Sequence, residues 1–178
     1  MNTKCGVVGI SNKSSILFDD FLTIINKIQH RGHESWGYSY QDEIDNNIVN
    51  YKFLGLIKDT FKQFNTSLLI PSNYIIGHIR YSTSGKSKNM EEQEKLNEAQ
   101  PMIGNNKYFG KYSICHNGNI PYLKDDRFID EKNSLPNLFK DFKDNKISDT
   151  QFINKLIENE AESIESLLKK IINNIDRA

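Results

Sequence analysis

The sequence predicts an α+β fold from three features of its residue order. Strand-like segments, apolar in alternation or in short blocks, recur as far as residue 120. Amphipathic helical spacing takes over from Ser134 onward. Strands and helices do not follow the βαβ rhythm that a parallel sheet requires.

Taken in order, Cys5 to Ile10 is a strand with almost no lead-in. Asp19 to Gln29 has helical spacing, with Phe21, Leu22, Ile25 and Ile28 on one stripe. The polar stretch "HRGHES" then kinks the chain. "WGYSY" and "NIVNYKFLG" alternate like strands, residues 57–65 suit a short helix, and "NYIIGHIRYS" is a further strand. "TSGKSKNMEEQEKLNEAQP" has no apolar period and reads as a long surface loop. "YFGKYSICHNGNI" returns to strand and ends at a turn around Asn117 and Gly118, where Asn-Gly suits positive φ. Ser148 with Gln151 forms a capping box, and Ile164, Leu167, Leu168, Ile171, Ile172 and Ile175 form a helical stripe. No repeat or linker interrupts the chain.

The 178 residues suffice for one domain with a sizeable core, or for a large part of one. Lys+Arg and Asp+Glu number 23 each, so no net charge favours nucleic acid or an anionic membrane as partner. No apolar run nears the roughly 20 residues of a membrane span, and no secretory signal opens the chain. Two cysteines, Cys5 and Cys115, make no disulfide framework, so a reducing, cytoplasmic setting is expected.

Four segments carry polar residues that strands and turns do not require: "CGVVGI", "QHRGHESWG", "GHIRYSTSG" and "ICHNGNI". Each has a plain structural explanation on its own. His30 and His33 are spaced like half a zinc site, but no Cys-x-x-Cys accompanies them, so no metal site is expected. "SGKS" at 84–87 lacks the earlier glycine of a phosphate loop, since position 80 is Arg.

Together and in this order, the four segments resemble the glutaminase domain of class II glutamine amidotransferases. These are N-terminal-nucleophile hydrolases whose chains begin Cys-Gly-apolar-apolar-Gly-apolar. "QHRGHES" and "RYSTSG" look most like the amidophosphoribosyltransferase branch of purine synthesis, and the "AQP" at Ala99–Pro101 stands where the family usually has it, before the "HNG" strand. The resemblance implies stacked antiparallel sheets flanked by helices (αββα). It also implies hydrolysis of the side-chain amide of L-glutamine to glutamate and ammonia through a Cys5 thioester. The ammonia would pass to a synthase domain or subunit outside this chain; no metal or organic cofactor is implied, and a homo-oligomer is compatible with the resemblance.

By the same resemblance, the nucleophilic Cys must be the first residue, which makes Met1–Lys4 a propeptide and residues 5–178 the glutaminase domain. The physics agrees. A thiol of pKa near 8.5 needs a base at neutral pH, and an α-amine of pKa ~7.7–8.0 on the same residue can supply one. Asn117 and Gly118 resemble the oxyanion hole, and Arg80 the clamp on the glutamine α-carboxylate, with Thr83 assisting. Arg31 and Gly32 resemble the loop beside the nucleophile. His30, His78 and His116 read as structural. The family's Asp-(Ser/Thr)-Glu motif for the α-ammonium is absent after "HNG", which leaves Asp130 and Glu131 as candidates. By the resemblance a further run of strands is expected after the last helices, so residues 5–178 are read as a glutaminase domain incomplete at the C-terminus, either a fragment of a longer protein or a reduced version. The reading from another class is a degenerate, inactive glutaminase-like module that binds a partner or serves regulation.

Overall fold

A computed structural model describes residues 5–60, 69–81, 90–120, 136–160 and 162–174. They form two compact units. The first comprises residues up to Ile103 together with Ser113–Asn117; the second comprises Gly104–Tyr112 and the chain from Gly118 onward.

In the first unit a four-stranded antiparallel sheet has the order β1-β6-β3-β4, built from β1 (Gly6–Ser11), β3 (Ser35–Gln41), β4 (Ile48–Leu54) and β6 (Tyr74–Arg80). The short strands β2 (Ile16–Leu17) and β5 (Leu69–Ile70) pair beside it. Helix α1 spans Phe18–Lys27, and a 3₁₀ turn over Gln29–Arg31 follows. The expected stripe on α1 is extended by Phe18, and Phe18, Phe21, Leu22 and Ile25 are all buried. They pack on the sheet face bearing Trp36, Tyr38, Ile75 and Ile79. Each such fully buried side chain contributes about 1.5–3 kcal/mol. Gly77 admits the helix: a β-carbon there would lie 2.8 Å from both Phe21 and Ile25.

Register sorts the other side chains. Because successive side chains alternate between faces, the pairings Trp36 with Ile79 and Tyr38 with Gly77 share the α1 face. The pairings Ser35 with Arg80 and Gly37 with His78 fall on the opposite, polar face. The same one-in-two rule that builds the core therefore collects the motif residues.

Helix α2 (Ile57–Thr60) matches the start of the helix expected over 57–65; the rest of that stretch lies outside the described residues. The loop expected before "AQP" is corrected in part: Glu92–Glu98 is a helix, α3. Glu91 and Glu94 close a reciprocal capping box at its start. Glu, Gln, Lys and Leu are good helix formers without any apolar period, so periodicity alone could not reveal it.

The hairpin of β7 (Met102–Asn106) and β8 (Gly110–Ile114) follows, and β7 was not foreseen. In the second unit come α4 (Pro136–Lys143), α5 (Asp149–Glu160) and α6 (Ile164–Asn174). The Ser148–Gln151 box is present, with Ser148 N–H donating to Gln151 Oε1 at 2.8 Å and Gln151 N–H to Ser148 Oγ at 3.4 Å. Phe152, Leu156 and Ile157 are buried, and the Asn106 amide donates to the Ile157 carbonyl at 2.5 Å. The α6 stripe is corrected in part: Leu167 is buried, but Ile164 and Leu168 are exposed. No described helix is long and apolar enough to cross a membrane.

Candidate active site

Cys5 immediately precedes β1, which is antiparallel to β6, so the start of one strand meets the end of the other. Its Sγ accepts the backbone N–H of Tyr81 at 3.4 Å and lies 3.8 Å from the Tyr81 carbonyl oxygen. The Cys5 carbonyl accepts two side chains: Arg31 Nε–H at 3.3 Å and Asn117 Nδ2–H at 2.7 Å. All four segments singled out in the sequence thus converge on one residue.

Gly32 explains how they come so close. A β-carbon on Gly32 would overlap the Arg80 carbonyl, so the "HRG" turn can lie against the end of β6 only without one. Glu34 N–H donates to that carbonyl at 3.1 Å. The "AQP" segment holds two others: Gln100 Oε1 accepts the His116 N–H of the "HNG" segment at 2.6 Å, and the Pro101 carbonyl accepts Asn50 Nδ2–H of β4 at 2.9 Å.

Arg80 is already engaged. Its Nε stands 2.7 Å from Glu34 Oε2, Nη1 donates to the Glu98 carbonyl at 2.8 Å, and Nη2 pairs with the Glu98 carboxylate. Neither acid was singled out in the sequence, although Glu34 sits inside "QHRGHESWG" and Glu98 directly precedes "AQP".

Gly118 follows Asn117 in the chain, is exposed, and falls in the second unit. Thr83, Asp130, Glu131 and Met1–Lys4 lie outside the described residues. His30 and His33 are exposed, and His30 Nδ1 faces the Lys27 carbonyl at 3.1 Å. Among the described residues no group of three or more His, Cys, Asp or Glu is placed to hold a metal ion.

Two further groups, the buried His78 and the half-buried Cys115, are shifted by their surroundings. Burial pushes the His78 imidazole down to about 4, against the opposing pull of the His116 backbone. Burial likewise pushes the Cys115 thiol up to about 12, although nearby Lys52 acts the other way. Cys115 is therefore a protonated, inert thiol at neutral pH, whereas a nucleophile must reach the thiolate form.

No family model matches the chain. Individual relatives do. An amidophosphoribosyltransferase of Staphylococcus aureus (strain MRSA252) is 31% identical over 176 residues, covering 98% of this chain and 32% of the relative. One from Archaeoglobus fulgidus is 32% identical over 154 residues, covering 86% of this chain and 30% of the relative. The chain is related to the glutaminase domain of amidophosphoribosyltransferases. It spans about a third of the length of these curated relatives.

Solved structures agree on the fold of this glutaminase relative. The glutamine phosphoribosylpyrophosphate amidotransferase of B. subtilis, complexed with ADP and GMP, is 21% identical with a TM-score of 0.60, covering 94% of this chain and 32% of that one. A structure described as the allosteric regulatory enzyme of purine biosynthesis gives a TM-score of 0.62 at 21% identity, with the same coverage. The chain shares its α+β fold of antiparallel sheets and helices with these structures.

Proposed function

We propose that this chain is the glutamine-hydrolysing part of an amidotransferase and that Cys5 is its nucleophile. The observation that carries this reading is the pair of hydrogen bonds from Arg31 and Asn117 to the Cys5 carbonyl, with the Cys5 sulfur against Tyr81. A structural cysteine needs no such convergence of two side chains and a strand-end backbone from three other segments.

Removal of Met1–Lys4 turns the Cys5 amide nitrogen into an α-amine. That amine takes the thiol proton, and the thiolate attacks the side-chain amide carbon of glutamine. The oxygen of the tetrahedral adduct gains negative charge and accepts donors from Asn117 Nδ2, which has a second N–H, and from the Gly118 backbone N–H. The ammonium formed at Cys5 returns its proton to the leaving nitrogen, and ammonia departs. Water then attacks the thioester, releasing glutamate and restoring the thiol. The ammonia passes to an acceptor domain or subunit.

Ammonia release from L-glutamine should appear in a form beginning at Cys5 and be absent from the form that retains Lys4. Equal activity of the two forms contradicts the free-amine mechanism. Inactivity of both, with the Cys5 amine verified by mass, removes the glutaminase reading in favour of a binding module.

A further inference from the structure

Helix α3 ends on an acid. A helix C-terminus carries partial negative charge and favours cations, yet Glu98 is its last residue, and Arg80 compensates by capping the Glu98 carbonyl and pairing with the carboxylate. Glu34 already supplies Arg80 with a carboxylate at Nε. One guanidinium against two carboxylates leaves a net charge of −1 beside the residues that contact Cys5.

The two acids differ in reach. Both Glu34 carboxylate oxygens are shut away from solvent, so Glu34 can hold Arg80 but cannot meet a ligand. The Glu98 side chain is 23% exposed, and its Oε2 faces Arg80. Among the described residues, Oε1 has no hydrogen-bond donor. Of the five N–H donors of the Arg80 guanidinium, Glu98 takes one on each terminal nitrogen and Glu34 faces Nε as an ion pair, which among the described residues leaves one N–H on each terminal nitrogen. Among the described residues, two donors of Arg80 and one oxygen of the Glu98 carboxylate that pairs with it therefore remain open to a ligand. An α-amino acid carries its carboxylate and ammonium on one carbon and so presents the complementary pair.

We infer that Glu98 accepts the α-ammonium of the substrate while Arg80 holds the α-carboxylate, which makes Glu98 the residue that selects an α-amino acid. This rests on the glutaminase reading above. It assigns the role to an acid before the "HNG" segment in place of Asp130 or Glu131 after it.

The test is calorimetric binding of L-glutamine and of glutaramate, the same molecule without its α-amine, to the full chain. Losing a charged hydrogen-bond partner weakens binding about 10- to 100-fold, so the wild type should prefer glutamine by that factor. In Glu98→Gln the preference should collapse toward one, because the loss falls on glutamine far more than on glutaramate. Glu98→Asp should keep part of the preference, and the double variant Asp130→Asn, Glu131→Gln should keep it whole.

If Glu98→Gln weakens both compounds equally, Glu98 only positions Arg80. If it strengthens both, Glu98 competes with the substrate carboxylate. If the preference vanishes only in the double variant, the ammonium reader lies after "HNG". Any of these overturns the assignment while glutamine hydrolysis by the Cys5 form stands. If the wild type binds neither compound, the glutamine site is lost and the assignment with it.

Discussion

Asn117 donates its side-chain amide to the backbone carbonyl of Cys5 at 2.7 Å, across 112 residues of sequence. The bond places one amide N–H on the main chain of the candidate nucleophile, and among the described residues the second has no acceptor. An oxyanion donor fixed in this way loses no freedom when charge develops, which is the condition for strong transition-state stabilisation.

Asn117→Ala should therefore lower kcat of the Cys5 form about 10²- to 10³-fold with little change in KM, because the oxyanion exists only near the transition state. Steady-state kinetics on glutamine measures the split. A change confined to KM contradicts the assignment.

The two cysteines should behave oppositely toward a glutamine-mimicking electrophile. Cys5→Ala should abolish labelling, and Cys115→Ala should leave it intact, because burial holds the Cys115 thiol protonated, up to about 12. Peptide mapping should find Cys115 modified only after denaturation. Labelling of native protein at Cys115 would contradict this.

Arg80→Lys should raise the KM for glutamine clearly while sparing kcat. The charge survives, but a Lys cannot reproduce a planar fork that touches Glu34, the Glu98 carbonyl and the Glu98 carboxylate together. The same substitution should destabilise α3, visible as faster amide exchange over Glu92–Glu98. Unchanged exchange would mean that the Arg80 cap contributes nothing to the helix.

His78 should make stability depend on pH below neutrality. Burial holds its folded-state value at about 4 against an ordinary 6.5. Between those values the unfolded chain binds the extra proton, so stability rises with pH. The contribution is fully present above about 6.5 and falls by up to ~1.4 kcal/mol per pH unit as pH drops toward 4. Urea denaturation at intervals from pH 7 to 4 measures this slope. His78→Gln should flatten it, and an unflattened slope would assign the dependence to other groups.

How much of this was legible in the sequence varies with the kind of force involved. The strands Gly6–Ser11, Ser35–Gln41, Ile48–Leu54 and Tyr74–Arg80 were readable because the pleat sends successive side chains to opposite faces, so large apolar residues on the α1 side alternate along the chain with small or polar ones. Helix Phe18–Lys27 was readable for the same reason at a period of 3.6. The chemistry-bearing residue types were also legible: a thiol beside the N-terminus, an Arg at a strand end and an Asn-Gly turn.

Helix Glu92–Glu98 was not legible by pattern, because it rests on propensity and a capping box and none of its residues is buried. The partners of Arg80 were beyond sequence reasoning as well. Glu34 and Glu98 reach it because β3 runs antiparallel to β6 and because α3 ends beside it, and a single ion pair leaves no periodic trace in a chain. Residue order by itself determined which elements form and which side chains could do chemistry. Only the tertiary structure decided which of them meet, because hydrogen bonds to the Cys5 carbonyl and charges around Arg80 depend on position in space, whereas hydrophobic periodicity depends only on position along the chain.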